Sequence, residues 1–138
     1  WLPTNYTLVQ ALEKFHRFLG DDFTVTVPSL GNRELNLKEI ATLIAERLVG
    51  LYRRDQDGLM PAFPADSPFQ HDPHWRDLLQ FYEYFHADTG QGLGAAHQTG
   101  WTGLLANLVM RRYRRDIPTY WGQQMTAQAE TAPSAAEV

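Results

Sequence analysis

Residues 81 to 103 concentrate the side chains of this sequence that are equipped for chemistry. They read Phe-Tyr-Glu-Tyr-Phe-His-Ala-Asp-Thr-Gly-Gln-Gly-Leu-Gly-Ala-Ala-His-Gln-Thr-Gly-Trp-Thr-Gly. Glu83 stands between Tyr82 and Tyr84. A carboxylate among rings is costly unless it is hydrogen-bonded or hydrated, and tyrosine hydroxyls are able to supply such bonds. The combination suits carbohydrate chemistry. Rings stack on pyranose faces, while a carboxylate orients or deprotonates a water. Gly90, Gly92 and Gly94 let backbone come close to a ligand or to a neighbouring helix. On spacing alone, a helix-end glutamate on a solvated face is the simpler reading.

Other clusters carry less. His71-Asp72-Pro73-His74 contains metal-ligand residue types, but the run crosses a proline and has no third histidine nearby, so a closed zinc site is not expected. Arg111-Arg112-Tyr113-Arg114-Arg115 reads as a solvated basic cluster that complements a helix C-terminus. The glycines do not follow a strand in a nucleotide-binding pattern. No cofactor and no metal are expected. A net charge of -4 argues against a general nucleic-acid partner. No run approaches the roughly 20 apolar residues of a membrane span, so no membrane partner is expected either. The chain has no cysteine, which excludes disulfides and thiolate metal sites. A cytoplasmic location is the working expectation.

These residues need elements to position them. A hydrophobic fraction of 43% and a charged fraction of 20% are those of a globular chain, and 138 residues suffice for one domain with a real core. Leu8, Leu12, Phe15 and Leu19 mark one stripe of a helix from Thr7 to Leu19, closed by Gly20. Phe23 to Val27 alternates and stops at Pro28, which predicts a short extended excursion near residues 23–27 or a small hairpin. Asn36 with Glu39 predicts an N-cap, and the helix it opens carries Leu37, Ile40, Ile44, Leu48 and Leu51 on one face. A proline-rich loop is expected from about Asp57 to Pro73. His74 to Phe85 reads as an aromatic helix. Trp101 to Tyr113 reads as another, with Leu104, Leu105, Leu108 and Val109 inward. A last short helix would hold Tyr120 and Trp121, and residues 126–138 have the composition of a disordered tail. The start on Trp1, running almost directly into a helix, has the look of a segment cut from a longer polypeptide.

The stretch Glu83-Tyr84-Phe85-His86-Ala87-Asp88-Thr89-Gly90, followed by Gly-Ala-Ala-His-Gln-Thr-Gly-Trp-Thr-Gly from 94 to 103, resembles the C-terminal signature of glycoside hydrolase family 63. That family includes processing α-glucosidase I and bacterial α-glycosidases. The opening Trp1 with Asn5-Tyr6 resembles the family's Trp…Asn-Tyr segment. The resemblance covers roughly residues 1 to 20 and 70 to 113. It implies that Glu83 is the general base of an inverting mechanism. A carboxylic acid on the other side of the bond, about 6.5–9.5 Å away, protonates the leaving oxygen in such enzymes. No segment here resembles the surroundings of the family's acid, an aspartate, so that group is expected upstream of this chain. His86-Ala87-Asp88 and Ala95-Ala96-His97-Gln98 depart from the commoner family pattern, which leaves the sugar undetermined.

The resemblance further implies an all-α fold, with residues 1–125 as the C-terminal segment of an (α/α)6 toroid. Expected substrate-binding residues are Trp1, Asn5, Tyr6, Trp101 and His97. Trp1 and Trp101 would stack on sugar, and His97 would bond to hydroxyls or to Glu83. Simple core or capping roles compete with each of these. The expected partners are a carbohydrate substrate and the remainder of a parent catalytic domain. The alternative is a non-enzymatic helical module that binds carbohydrate or protein through the aromatic face of residues 75 to 85. In the enzyme reading, Trp1, Glu83 and Trp101 converge. In the module reading they scatter.

Overall fold

The computed structural model of the chain describes residues 1–113. The elements run α1 (Leu2–Leu19), β1 (Thr24–Val27), a 3-10 turn (Pro28–Leu30), β2 (Arg33–Asn36), α2 (Leu37–Gly50), α3 (Pro68–His71), β3 (Tyr84–Phe85), β4 (Gly92–Leu93) and α4 (Leu104–Tyr113). Helix α1 starts well before the apolar periodicity predicts. Pro3 falls in its first turn, where a missing N–H breaks no helical bond and a fixed φ favours the helix.

The helix expected to open at Asn36 does so through a complete capping box. The Glu39 N–H donates to Asn36 Oδ1 at 3.0 Å, and the Asn36 N–H donates to Glu39 Oε2 at 2.8 Å. Ahead of it, β1 pairs antiparallel with β2, Thr24 opposite Asn36 and Val27 opposite Arg33. The extended excursion near 23–27 is thus one arm of a hairpin, turned by a left-handed Gly31 and Asn32.

The core lies where α1, α2 and α4 meet. Leu2 and Val9 of α1, Ala41, Ala45 and Val49 of α2, and Leu105 and Leu108 of α4 are buried there. Helix α2 faces this seam with a row at four-residue spacing, Leu37, Ala41, Ala45 and Val49, while Ile44 and Leu48 flank it. Alanines in that row let the backbones approach closely. The stripe expected inside α1 largely faces out: Leu8, Phe15 and Leu19 are exposed, and Phe18 is 86% exposed. Apolar residues occur on more than one side of α1, and periodicity by itself does not select the side that meets a neighbour. Helix α4 buries the predicted residues, Leu105 and Leu108 fully and Leu104 and Val109 partly.

The expectation of an all-α segment of a toroid is overturned. The described residues are mixed in structure, with helices and two two-stranded antiparallel sheets. Between α2 and α4 the only helix among the described residues is the four-residue α3. Residues 74–85, expected as helix, form turns and then strand β3. The run Phe81-Tyr82-Glu83-Tyr84-Phe85 is rich in strand-favouring aromatics, and a glycine-bearing partner strand lets the rings lie against it. The predicted short helix at Tyr120 and Trp121, the boundary at 125 and the tail 126–138 lie outside the described residues.

The long loop after α2 is held by buried polar anchors. Gln70, 3% exposed, accepts from the Met60 N–H at 3.0 Å and donates to the carbonyls of Met60 and Phe63 at 2.8 and 2.9 Å. Arg54 donates to the carbonyls of Gly58 and Arg76, both at 2.6 Å. The Tyr52 hydroxyl donates to the Gln80 carbonyl at 2.8 Å, and burial pushes that phenol's pKa up. These bonds tie the loop to the end of α2 and deliver residues 81–85 beside the core.

Candidate functional site

Glu83 is carried by a hairpin rather than a helix. Its N–H donates to the Ala95 carbonyl at 2.8 Å, the His86 N–H donates to the Gln91 carbonyl at 2.8 Å, and Tyr84 and Phe85 pair with Leu93 and Gly92. The turn of this hairpin is closed by the His86 ring, whose Nδ1 accepts the N–H groups of Asp88 and Thr89 at 3.2 and 3.3 Å. Gly90 follows with φ +77, a conformation that side chains disfavour. On the other arm, Gly92 lies under the Tyr82 ring, and a Cβ there would run into it. Thr102, fully buried, donates its hydroxyl to the Tyr82 carbonyl and fastens the hairpin to the approach of α4.

This arrangement brings two of the predicted site residues, Trp1 and Trp101, together with Tyr84, the neighbour of Glu83. The Trp1 and Tyr84 rings stack with centroids 6.4 Å apart and an interplanar angle of 30°. Trp101 meets Trp1 edge-on at 5.6 Å and 62°. Trp1 is 58% exposed, Tyr84 is 36% exposed, and Trp101 is partly buried. Glu83, half-buried, adjoins this cluster: its Oε2 and Tyr84 Cε1 crowd the same position over Gly94. The Ala95 N–H points at Glu83 Oε2 at 3.4 Å, a long hydrogen bond. The indole Nε1 of Trp101 is buried and has no hydrogen-bond partner. Such an orphan donor is uncommon in folded chains and calls for an acceptor.

The remaining predicted residues are placed differently. Asn5 donates its side-chain amide to the Trp1 carbonyl at 2.8 Å, so it fixes the backbone that carries Trp1. Tyr6 is tied to α4: its hydroxyl donates to Asn107 Oδ1 at 2.7 Å and accepts from Gln10 at 3.2 Å. His97 is exposed, bridged through its backbone to Phe81. The His71–His74 run is occupied locally, with the His71 ring against the Ala65 carbonyl and Asp72 accepting the His74 N–H. Among the described residues no group of three or more His, Cys, Asp or Glu side chains gathers as a metal site. Surface grooves of about 720, 570 and 310 Å³ lie elsewhere and are lined by none of the predicted site residues. The first of these, between α1, α2 and α4, is crossed by the Arg111–Glu13 ion pair.

Sequence reasoning missed the parts of Tyr84, Gly94 and Ala95. A signal was present. The aromatic run of residues 81–85, followed closely by Gly90, Gly92 and Gly94, is compatible with a hairpin, and a helical reading of that run hid the pairing.

No protein-family model matches the chain, and no solved structure matches it. An uncharacterized protein of Saccharomyces cerevisiae is 40% identical over 111 residues, which cover 79% of this chain and 10% of that protein. The chain thus spans about a tenth of the length of the relative it matches. No helix among the described residues is long and apolar enough to cross a membrane.

Proposed function

We propose that this chain supplies the general base, Glu83, to an inverting hydrolysis of an α-linked glucoside or related sugar, in the manner of glycoside hydrolase family 63. The observation that carries the reading is the cluster of Trp1, Tyr84 and Trp101, whose Tyr84 ring shares the space over Gly94 with the Glu83 carboxylate. Exposed rings offer a stacking surface for a pyranose. The Trp101 indole N–H, buried without a partner, is a donor in want of an acceptor next to that surface. A water held by Glu83 attacks the anomeric carbon on the face opposite the leaving oxygen. Its proton passes to the carboxylate as the glycosidic bond breaks, and that bond's electron pair goes to the leaving oxygen. A carboxylic acid outside these 138 residues protonates that oxygen, so the remainder of a longer catalytic polypeptide is the expected partner. A cytoplasmic location belongs to the same proposal.

The test is turnover of a panel of α-glucosides by the full-length polypeptide, wild type against Glu83→Ala. The expected result is a fall in kcat of at least about a thousandfold, with partial restoration by azide and a product of inverted configuration. Near-normal turnover in the variant, or no turnover of any α-glucoside by the wild type, overturns the reading. A second reading, a non-enzymatic binding module, draws on the exposed Trp75, Leu78 and Leu79. It is favoured if the full-length protein retains an α-glucoside without cleaving it.

A further inference from the structure

Gly94 lies on the hairpin arm opposite Glu83 and has φ +74. A Cβ at this position would stand 2.7 Å from Glu83 Oε2, 3.0 Å from Glu83 Cβ and 2.9 Å from Tyr84 Cε1. The carboxylate and the first ring of the aromatic cluster therefore lean over the same bare backbone. The next peptide N–H, that of Ala95, approaches the same Oε2, and the Ala95 carbonyl accepts the Glu83 N–H at 2.8 Å. One dipeptide thus receives Glu83 through both backbone and side chain.

We propose that Gly94 is the positioning residue of this site. Its missing side chain lets the Glu83 carboxylate retract onto the Gly94-Ala95 backbone, with Oε2 held by the Ala95 N–H and Oε1 left to take the proton of the attacking water. The same gap seats Tyr84 against Trp1. The inference rests on the reading of Glu83 as general base and assigns how that base is held. Any side chain at 94 pushes the carboxylate off its seat, and a misplacement of about 1 Å costs on the order of a hundredfold in rate.

The left-handed conformation is a separate demand, and Gly58 isolates it. Gly58 has φ +77, and nothing lies within 4 Å of a Cβ built there. Gly58→Ala therefore carries the backbone strain without the collision. The experiment compares Gly94→Ala, Gly94→Asn, Gly58→Ala and Glu83→Ala in the full-length polypeptide, with α-glucosyl fluoride as substrate. Asparagine tolerates positive φ, so Gly94→Asn keeps the fold testable if the alanine variant unfolds. The expected result is a loss in kcat of about a hundredfold for either Gly94 variant and less than about threefold for Gly58→Ala, at matched folding by circular dichroism. The acid limb of the pH–rate profile is expected to move in the Gly94 variants and to stay in place for Gly58→Ala. If Glu83→Ala abolishes turnover while both Gly94 variants match Gly58→Ala in kcat and pH profile, the positioning role is wrong and the base assignment stands. If Glu83→Ala retains full turnover, both fall together.

Discussion

Glu83 is held at its position by backbone, not by a counter-charge. No ion pair reaches it among the described residues; the contacts that define its place are the Ala95 peptide and the open space over Gly94. Trp101 is the complementary case, a donor buried without an acceptor. Trp101→Phe keeps a ring at the edge of Trp1 and removes the N–H. If that N–H bonds a sugar hydroxyl, KM for the α-glucoside rises about tenfold, as the loss of about 1.4 kcal/mol of hydrogen bonding requires, with kcat little changed. Steady-state kinetics of the full-length variant check this, and an unchanged KM removes Trp101 from the binding surface.

At the scale of elements, the α1–α2 seam and the outer face of α1 make opposite demands. Ala41 and Ala45, each 1% exposed, set how closely the two helices approach. Ala41→Leu is expected to cost about 1–3 kcal/mol, because the added methylenes would push into the packed seam between the helices. Phe18, 86% exposed, makes an inverse control. Phe18→Ser is expected to change stability by less than about 0.5 kcal/mol despite removing a large apolar side chain. Chemical denaturation of the two variants tests the pair, and equal losses would mean the assignment of the buried face is wrong. The hairpin carrying Glu83 belongs to the same scale. Its aromatic arm needs the glycine-bearing arm opposite, since Tyr82 lies over Gly92 and Tyr84 over Gly94.

Across the whole molecule, charge ties the ends of the helices together. Arg112 of α4 and Arg53 just beyond α2 both pair with Glu46. The hydrogen bond from Arg112 is the main influence and outweighs burial, so the Glu46 carboxyl is held below its ordinary pKa. A carboxyl with a depressed folded-state pKa contributes stability that is present above the ordinary glutamate range and lost as the pH falls through the folded value. Arg112→Ala is expected to return Glu46 toward ordinary titration and to flatten the acid side of the stability profile. Glu46 is partly exposed, so the effect is small and screened by salt. Carboxyl titration by NMR reads it directly, and an unmoved Glu46 would assign the depression to Arg53.

The sequence by itself determined the local, short-range features. Asn36 with Glu39 specified a helix start, Pro28 ended a strand, and the apolar spacing of Leu104, Leu105, Leu108 and Val109 marked the inner face of α4. Each of these depends on residues a few positions apart, so a single chain carries the whole signal. The tertiary structure decided the rest. Whether residues 81–85 form helix or strand depends on hydrogen bonds to residues 91–96, and no local pattern records those partners. Which side of α1 is buried depends on where α2 lies, which turned Leu8, Phe15 and Leu19 outward. The meeting of Trp1 with Tyr84 and Trp101 joins residues far apart in the chain, and Asn5 serves it by holding the Trp1 carbonyl. Glu83 was legible as a candidate because residue type survives in sequence. Its seat on Gly94 was not, because an absent Cβ acquires meaning only when another segment fills the space it leaves.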